Sequence, residues 1–162
     1  MLKLYLLRHA QAAGSFDVDD YQRPLTLHGI EQAQAVATSL PDIHLCLCSS
    51  ALRTKMTLDS LKKAEANIAK TTFSDELYNA PTGALLNAIQ QAGDVQNLLL
   101  IAHNPGIHQL ANTLTMEDNS EIRNKLIYQY APASLSVLEC PIENWKDIQP
   151  QQNKLVELIT QA

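Results

Sequence analysis

MLKLYLLRHAQ, residues 1–11, decides the fold. The run Leu2–Leu7 is almost wholly apolar, with Lys3 its one charge. Such a run reads as a strand buried on both faces, the kind found inside parallel sheets. It leads into Arg8-His9, which a strand of that type tolerates only where the side chains project from its carboxyl end. In open α/β sheets that rim is where ligands bind. An arginine offers a planar fork for a tetrahedral oxyanion, and a histidine beside it can act as nucleophile or proton carrier.

Beyond residue 11 the chain alternates between helical and strand patterns, with no internal repeat, low-complexity tract or linker. A polar loop, Gln11–Arg23, precedes a helix expected over Leu27–Leu40, with Ile30, Ala33, Val36, Ala37 and Leu40 on one stripe. Thr26 is placed to cap it and Pro41 to stop it. A strand over His44–Cys48 ends at Ser49-Ser50, and a helix follows over Leu52–Ala66. Phe73–Asn79 reads as a short strand and loop, and Thr82–Ala92 as a helix closed by Gly93. Leu98–Ala102 is a second fully apolar strand, ending at His103. Asn104-Pro105 suits a helix start, Asn as cap and Pro in the first position, before the stripe Ile107, Leu110, Ala111 and Leu114. A polar excursion over Met116–Lys125 precedes a strand near Ser134–Glu139 and a short one near Asn144–Ile148; the tail after Pro150 has no assignment. The alternation predicts one α/β domain over residues 1–162, a mainly parallel sheet flanked by helices on both faces.

Composition narrows the function. A net charge of −5 argues against general nucleic-acid affinity, so any anionic ligand needs positive charge gathered in one pocket. No stretch approaches the ~20 apolar residues of a membrane span, and the amino terminus lacks the zones of a signal peptide. Three cysteines, Cys46, Cys48 and Cys140, are too few for a disulfide framework and fit a reducing cytoplasm. Cys46 and Cys48 share one strand face but lack a second Cys or His pair, so they read as core filling rather than metal ligands.

Side by side, the three strands ending at residues 7, 48 and 102 put Arg8, His9, Arg53 and His103 on a single rim. The helix opening at Asn104-Pro105 aims its amino end at the same crevice, a natural anion site. The pieces Leu-Arg-His-Ala, Ser-Ser-Ala-Leu-Arg-Thr and Ala-His-Asn-Pro, in that order, resemble the signature of the histidine phosphatase superfamily, which includes the phosphoglycerate mutases. Within it the chain is similar to the short phosphohistidine phosphatases of the SixA type, through its length, the segment Arg23-Pro24-Leu25-Thr26-x-x-Gly29, and His103-Asn104-Pro105. The match runs from the first strand to about Trp145. Ala10 stands where the superfamily usually has Gly.

The resemblance implies a phosphatase that works through a phosphohistidine on His9, without metal or other cofactor. His9 would attack in line through a neutral nitrogen while a backbone carbonyl holds the proton of the other. Arg8, Arg53 and His103 would clamp the three equatorial oxygens, His103 as a cation once phosphate is bound. Arg23 and Asn104 are candidates for phosphate or substrate contact; Arg23 could equally pin its loop to Asp19 or Asp20. Larger members take their general acid from the region after the second helix, where Glu76 is the nearest candidate. Asp17, Asp19 and Asp20 are others. His28, His44 and His108 read as structural.

The expected substrate is a phosphohistidine on a signalling protein, a phosphotransfer domain or histidine kinase, met by a monomeric cytoplasmic enzyme. An imidazole leaves without the acid that an alkoxide requires, and no large insertion roofs the pocket. A small phosphomonoester is the alternative substrate, and a non-catalytic phosphate-binding protein the remaining one. A metal-dependent phosphoesterase would need a carboxylate cluster that the sequence lacks.

Overall fold

The computed structural model describes residues 1–14 and 17–161; Ser15 and Phe16, in the expected loop Gln11–Arg23, and Ala162, in the tail, lie outside them. Six strands form one sheet: β1 (Leu2–Arg8), β2 (Leu45–Ser49), β3 (Thr71–Ser74), β4 (Asn97–Ala102), β5 (Leu135–Cys140) and β6 (Lys154–Ile159). Their spatial order is β3-β2-β4-β1-β5-β6. β3, β2, β4 and β1 are parallel, while β5 runs antiparallel to β1 and β6 antiparallel to β5.

The apolar strands alternate between two cores. Leu4, Leu6, Leu98 and Leu100 face one side, Tyr5, Leu7, Leu99 and Ile101 the other. Helices α1 (Leu27–Ala37) and α2 (Leu52–Lys63) cover the second side through Ala33, Val36, Leu58 and Leu61. Helices α3 (Thr82–Gln90), α4 (Gly106–Leu114) and α5 (Glu121–Tyr128) cover the first through Leu85, Ile89, Ile107, Leu110 and Leu126. Cys46 and Cys48 are buried free thiols in the second core, and burial pushes Cys48 up to about 12. They are core filling, as their isolation implies. No helix among the described residues is long and apolar enough to cross a membrane.

β1 and β4 are neighbours, yet the chain leaves β1 toward α1 on one face and β4 toward α4 on the other. A crevice opens between such strands at their carboxyl ends. Arg8 pairs with Ala102 in register, and the His9 amide donates to the Ala102 carbonyl at 3.1 Å, so His9 and His103 leave the sheet together.

Several boundaries depart from the expectation. α1 ends at Ala37, before Pro41 can act, and α2 ends at Lys63, where Glu65 adopts a positive φ of 71°. Phe73 ends in β3 and is followed by a single helical turn, Asp75–Leu77. The polar stretch after Met116 holds the start of α5, capped by the Ser120 hydroxyl on the Arg123 amide. The expected strand at Asn144–Ile148 is instead a helical turn, Trp145–Asp147, whose indole donates to the Val95 carbonyl at 2.7 Å. The unassigned tail supplies β6, which pairs with β5.

Candidate functional site

The crevice is a cleft of about 350 Å³ lined by Arg8, His9, Asp20, Arg23, Arg53 and His103, with Gln11, Ala12, Asn79, Asn104 and Pro132 at its walls. Side chains from three strand ends thus meet as the apolar runs imply. His9, Arg53 and His103 are 8%, 3% and 2% exposed, so these polar groups sit at the floor.

His9 stands where β1 gives way to loop. Its Nδ1 lies 2.7 Å from the Ala10 carbonyl. A carbonyl only accepts, so Nδ1 carries the ring proton and Nε2 keeps its lone pair. Burial, with Arg53 and Arg8 nearby, lowers His9 to about 4 although the Ala10 contact opposes the shift. The ring is neutral at ordinary pH. The Ala10 amide donates to Thr57 Oγ1 at 3.1 Å, and that hydroxyl donates to the Arg53 carbonyl, so α2 braces the turn carrying His9.

Arg8 donates through Nη1 to the Tyr130 carbonyl at 3.0 Å. Arg53 donates through Nη1 to the Asp20 carbonyl at 2.8 Å and through Nη2 to the Asp20 carboxylate at 3.2 Å. The Nε atoms of both arginines are buried without a protein partner. The two guanidinium groups as a whole line the cleft and set positive charge on its wall. Arg23 is held by the Ala13 carbonyl and the Asp20 carboxylate, at 2.8 and 3.1 Å, and still lines the cleft, so loop pinning and a place at the site coexist in one side chain.

His103 lies with its ring centroid 5.3 Å from that of His9 and is T-shaped against Tyr78 at 5.5 Å. Burial first, then His9 and Arg53, hold it down to about 3, so it too is neutral before an anion arrives. The cationic His103 expected with bound phosphate is not the form these surroundings favour, since burial, His9 and Arg53 oppose a charge on the ring.

Asn104 lines the cleft but does not cap α4, contrary to the expectation. Pro105 occupies the cap position, the Asn104-Pro105 peptide is cis, and the Asn104 amide donates to the Tyr130 carbonyl at 2.9 Å. Its Oδ1 is left buried and unpartnered. Tyr130, unremarked in the sequence, therefore fixes both Arg8 and Asn104; its own hydroxyl is anchored to the Leu6 carbonyl and Ser136.

Glu76 is not brought to the cleft. It is exposed and lines a separate groove with Lys70, Leu77 and Asn87, because the helical turn Asp75–Leu77 points it along α3. Among the described residues the one carboxylate lining the cleft is Asp20. The Tyr78 hydroxyl donates to Asp20, and with Arg23 and Arg53 it pulls the carboxyl far below the usual range. Asp20 is thus a fixed anion rather than a proton donor. Asp17 and Asp19 are exposed and do not line the cleft.

The remaining histidines lie apart from the cleft. His44 Nδ1 accepts the Asn97 amide, His108 donates to the Leu126 carbonyl and stacks on Tyr130, and His28 meets Gln32. Gly29 explains the spacing of its segment: an added Cβ would fall 2.1 Å from the Gln11 carbonyl, on the cleft wall. Thr26 accepts the Gly29 amide at 2.9 Å, capping α1 as expected. No group of three or more His, Cys, Asp or Glu among the described residues is arranged to hold a metal ion.

The fold resembles that of known proteins. A SixA-type structure from Nakamurella multipartitia, a candidate phosphohistidine phosphatase, matches with a TM-score of 0.84 at 25% identity, covering 98% of this chain and 95% of that one. A like-named structure from Agrobacterium tumefaciens matches at 0.79 and 25%, covering 99% and 98%. A candidate α-ribazole-5′-phosphate phosphatase of Escherichia coli shares the fold, at 0.71 and 16% over 99% and 98%. An uncharacterized protein of Mycobacterium tuberculosis is 28% identical over 152 residues, which cover 89% of this chain and 92% of that one. The sequence pattern of the histidine phosphatase superfamily, branch 1, matches residues 4–85, the half carrying Arg8, His9 and Arg53, and the chain belongs to that superfamily.

Proposed function

We propose that the protein is a phosphohistidine phosphatase acting on a protein-borne phosphohistidine, with His9 as the phosphoryl acceptor. The observation that carries this reading is the 2.7 Å contact of His9 Nδ1 with the Ala10 carbonyl, beneath a cleft walled by Arg8, Arg53 and His103. Simple anion binding gains nothing from a neutral nitrogen held lone-pair outward among guanidinium groups.

In the proposed reaction the Nε2 lone pair of His9 forms a bond to phosphorus while the bond from phosphorus to the substrate nitrogen breaks. The imidazole departs with the proton it carries or takes from solvent. Charge spreads over the equatorial oxygens, where Arg8, Arg53 and His103 donate. Water then attacks the phosphoryl group on Nε2, releasing phosphate and restoring neutral His9. Arg23 and Asn104 serve as outer contacts.

Asp20 supports an N-phosphorylated substrate over a phosphomonoester. An alkoxide leaving group calls for a general acid, a contribution of typically ~10²–10⁴-fold, and the cleft's carboxylate is held ionised by Tyr78, Arg23 and Arg53. The similarity to SixA-type structures favours the same side, and a phosphotransfer domain or histidine kinase is the class of partner that fits. The test is phosphate release from a phosphohistidine protein against a panel of phosphomonoesters, expected to favour the former by kcat/KM. A preference for a phosphomonoester would transfer the protein to the small-molecule reading.

A further inference from the structure

Ser49 ends β2 and is fully buried behind His103. Its hydroxyl oxygen accepts the Ala51 amide at 3.4 Å and lies 2.8 Å from His103 Nε2. A serine hydroxyl owns one proton, and either nitrogen of a neutral imidazole can be the acceptor. Of the two groups at the oxygen only Nε2 can accept that proton, so the buried hydroxyl is satisfied as a donor when Nε2 keeps its lone pair. A ring whose Nε2 accepts must carry its own proton on Nδ1. Nδ1 is buried, has no protein partner and belongs to a side chain that lines the cleft.

We propose that Ser49 is a positioning residue that fixes His103 as its Nδ1–H tautomer, so that the neutral ring presents an N–H to an oxyanion in the cleft. The opposite tautomer would offer a lone pair to the phosphate oxygens and repel them. The part of the proposal that concerns anion binding rests on the phosphatase reading; the tautomer does not. The groups around the ring make the neutral form the relevant one. His9 and Arg8 from the end of β1 and Arg53 from α2 oppose a charge on it, Asp20 favours one, and the Tyr78 ring lies T-shaped to it at 5.5 Å. Because the net effect holds the ring neutral, the choice between tautomers decides whether His103 helps or hinders.

Ring-nitrogen NMR on 15N-histidine-labelled protein at neutral pH tests the tautomer directly. We expect wild-type His103 to be protonated on Nδ1 and unprotonated on Nε2; a proton on Nε2 overturns the proposal. In Ser49→Ala the Nε2–H form should appear, and orthovanadate should bind at least about tenfold more weakly at neutral pH. That deficit should shrink as pH falls, because a doubly protonated ring donates from both nitrogens and has no tautomer to choose. A purely structural lesion would not be relieved by acid. Ser49→Thr, which keeps the hydroxyl, should restore the wild-type spectrum and vanadate affinity. A Ser49→Ala protein with the wild-type tautomer and affinity also overturns the proposal. If Ser49→Ala fails to fold, the wild-type spectrum and Ser49→Thr still decide the matter. A wild-type protein that shows Nδ1–H yet binds no vanadate upholds the Ser49 assignment and removes the phosphatase reading instead.

Discussion

Arg53→Lys separates charge from geometry at the proposed clamp. Arg53 Nη1 and Nη2 are partly committed to Asp20, at 2.8 and 3.2 Å, while Nε is buried and unspent. A phosphoryl group entering the cleft can therefore be met by an already oriented guanidinium edge. Lysine keeps the positive charge but concentrates its donors on one nitrogen, at the end of a stem with no planar constraint. That nitrogen can hold the Asp20 carbonyl or a phosphoryl oxygen, and it cannot reproduce both contacts. Losing one preorganised donor to developing charge costs ~10²–10³-fold, and the retained charge recovers part of that. The expected loss in kcat/KM is about 2–4 kcal/mol, or ~30–1,000-fold. Orthovanadate inhibition, which samples the same five-coordinate geometry, should weaken in parallel. Denaturant unfolding of the same variant should show a smaller loss, about 1–3 kcal/mol, from the broken Asp20 contacts. Phosphohistidine turnover and vanadate inhibition within twofold of wild type would refute the argument and place Arg53 in a purely structural role.

His9→Ala should abolish turnover with the fold intact, and the acid-labile label that a phosphorylated substrate leaves on wild type should vanish; label retained in the variant contradicts the nucleophile assignment. Glu76→Gln should leave kcat/KM within about twofold on phosphohistidine protein and phosphomonoester alike, whereas loss of a working general acid would cost ~10²–10⁴-fold on the latter. Stability should fall on acidification, because His9 and His103 titrate near 4 and 3 when folded and near 6.5 when unfolded. Between those values the unfolded chain binds more protons, so folding free energy is present above about pH 6.5 and is lost as pH falls toward the folded values. Urea midpoints should drop by the equivalent of up to about 6 kcal/mol from pH 7 to pH 4, and by about half that in His103→Asn; a flat wild-type profile would mean that the histidines are not buried neutral.

The middle of the sheet was legible because its strands are buried on both faces. β1 and β4 are continuous apolar runs that stop at polar residues, and that stop is itself the rim of the cleft. The outer elements carry weaker signals. β6 lies at the sheet edge, where only Leu155 is fully buried and exposed Lys154 and Glu157 interrupt its apolar residues, so no continuous apolar run marks it. α5 is polar because its buried Arg123 is satisfied by Asn112 and Glu117 rather than by an apolar stripe. Asn144–Ile148 holds the apolar spacing of a short strand, yet Trp145 is buried under α3 through a helical turn. The same division holds at the site. Arg8, His9, Arg53 and His103 lie at ends that the sequence marks, whereas Tyr130 acts through its carbonyl, and a carbonyl leaves no trace in residue identity. Asp20 was one of three loop aspartates until Tyr78 and Arg53, 58 and 33 residues away, selected it.

That selection links the loop to the chemistry. Asp20 contributes a negative charge to a cleft otherwise built for anions, which works against phosphate binding unless the charge is already spent. Its contacts spend it: Arg23, Arg53 and the Tyr78 hydroxyl each take a share of the carboxylate. In return the carboxylate and its own backbone carbonyl fix the orientation of Arg53, at the expense of donors that could otherwise turn toward the ligand. The site thereby gains a preorganised guanidinium and forgoes a titratable acid. Under the proposed reaction the barrier to transfer is lowered through charge alone, and the substrates that suit it are those whose leaving group departs without a proton from the protein.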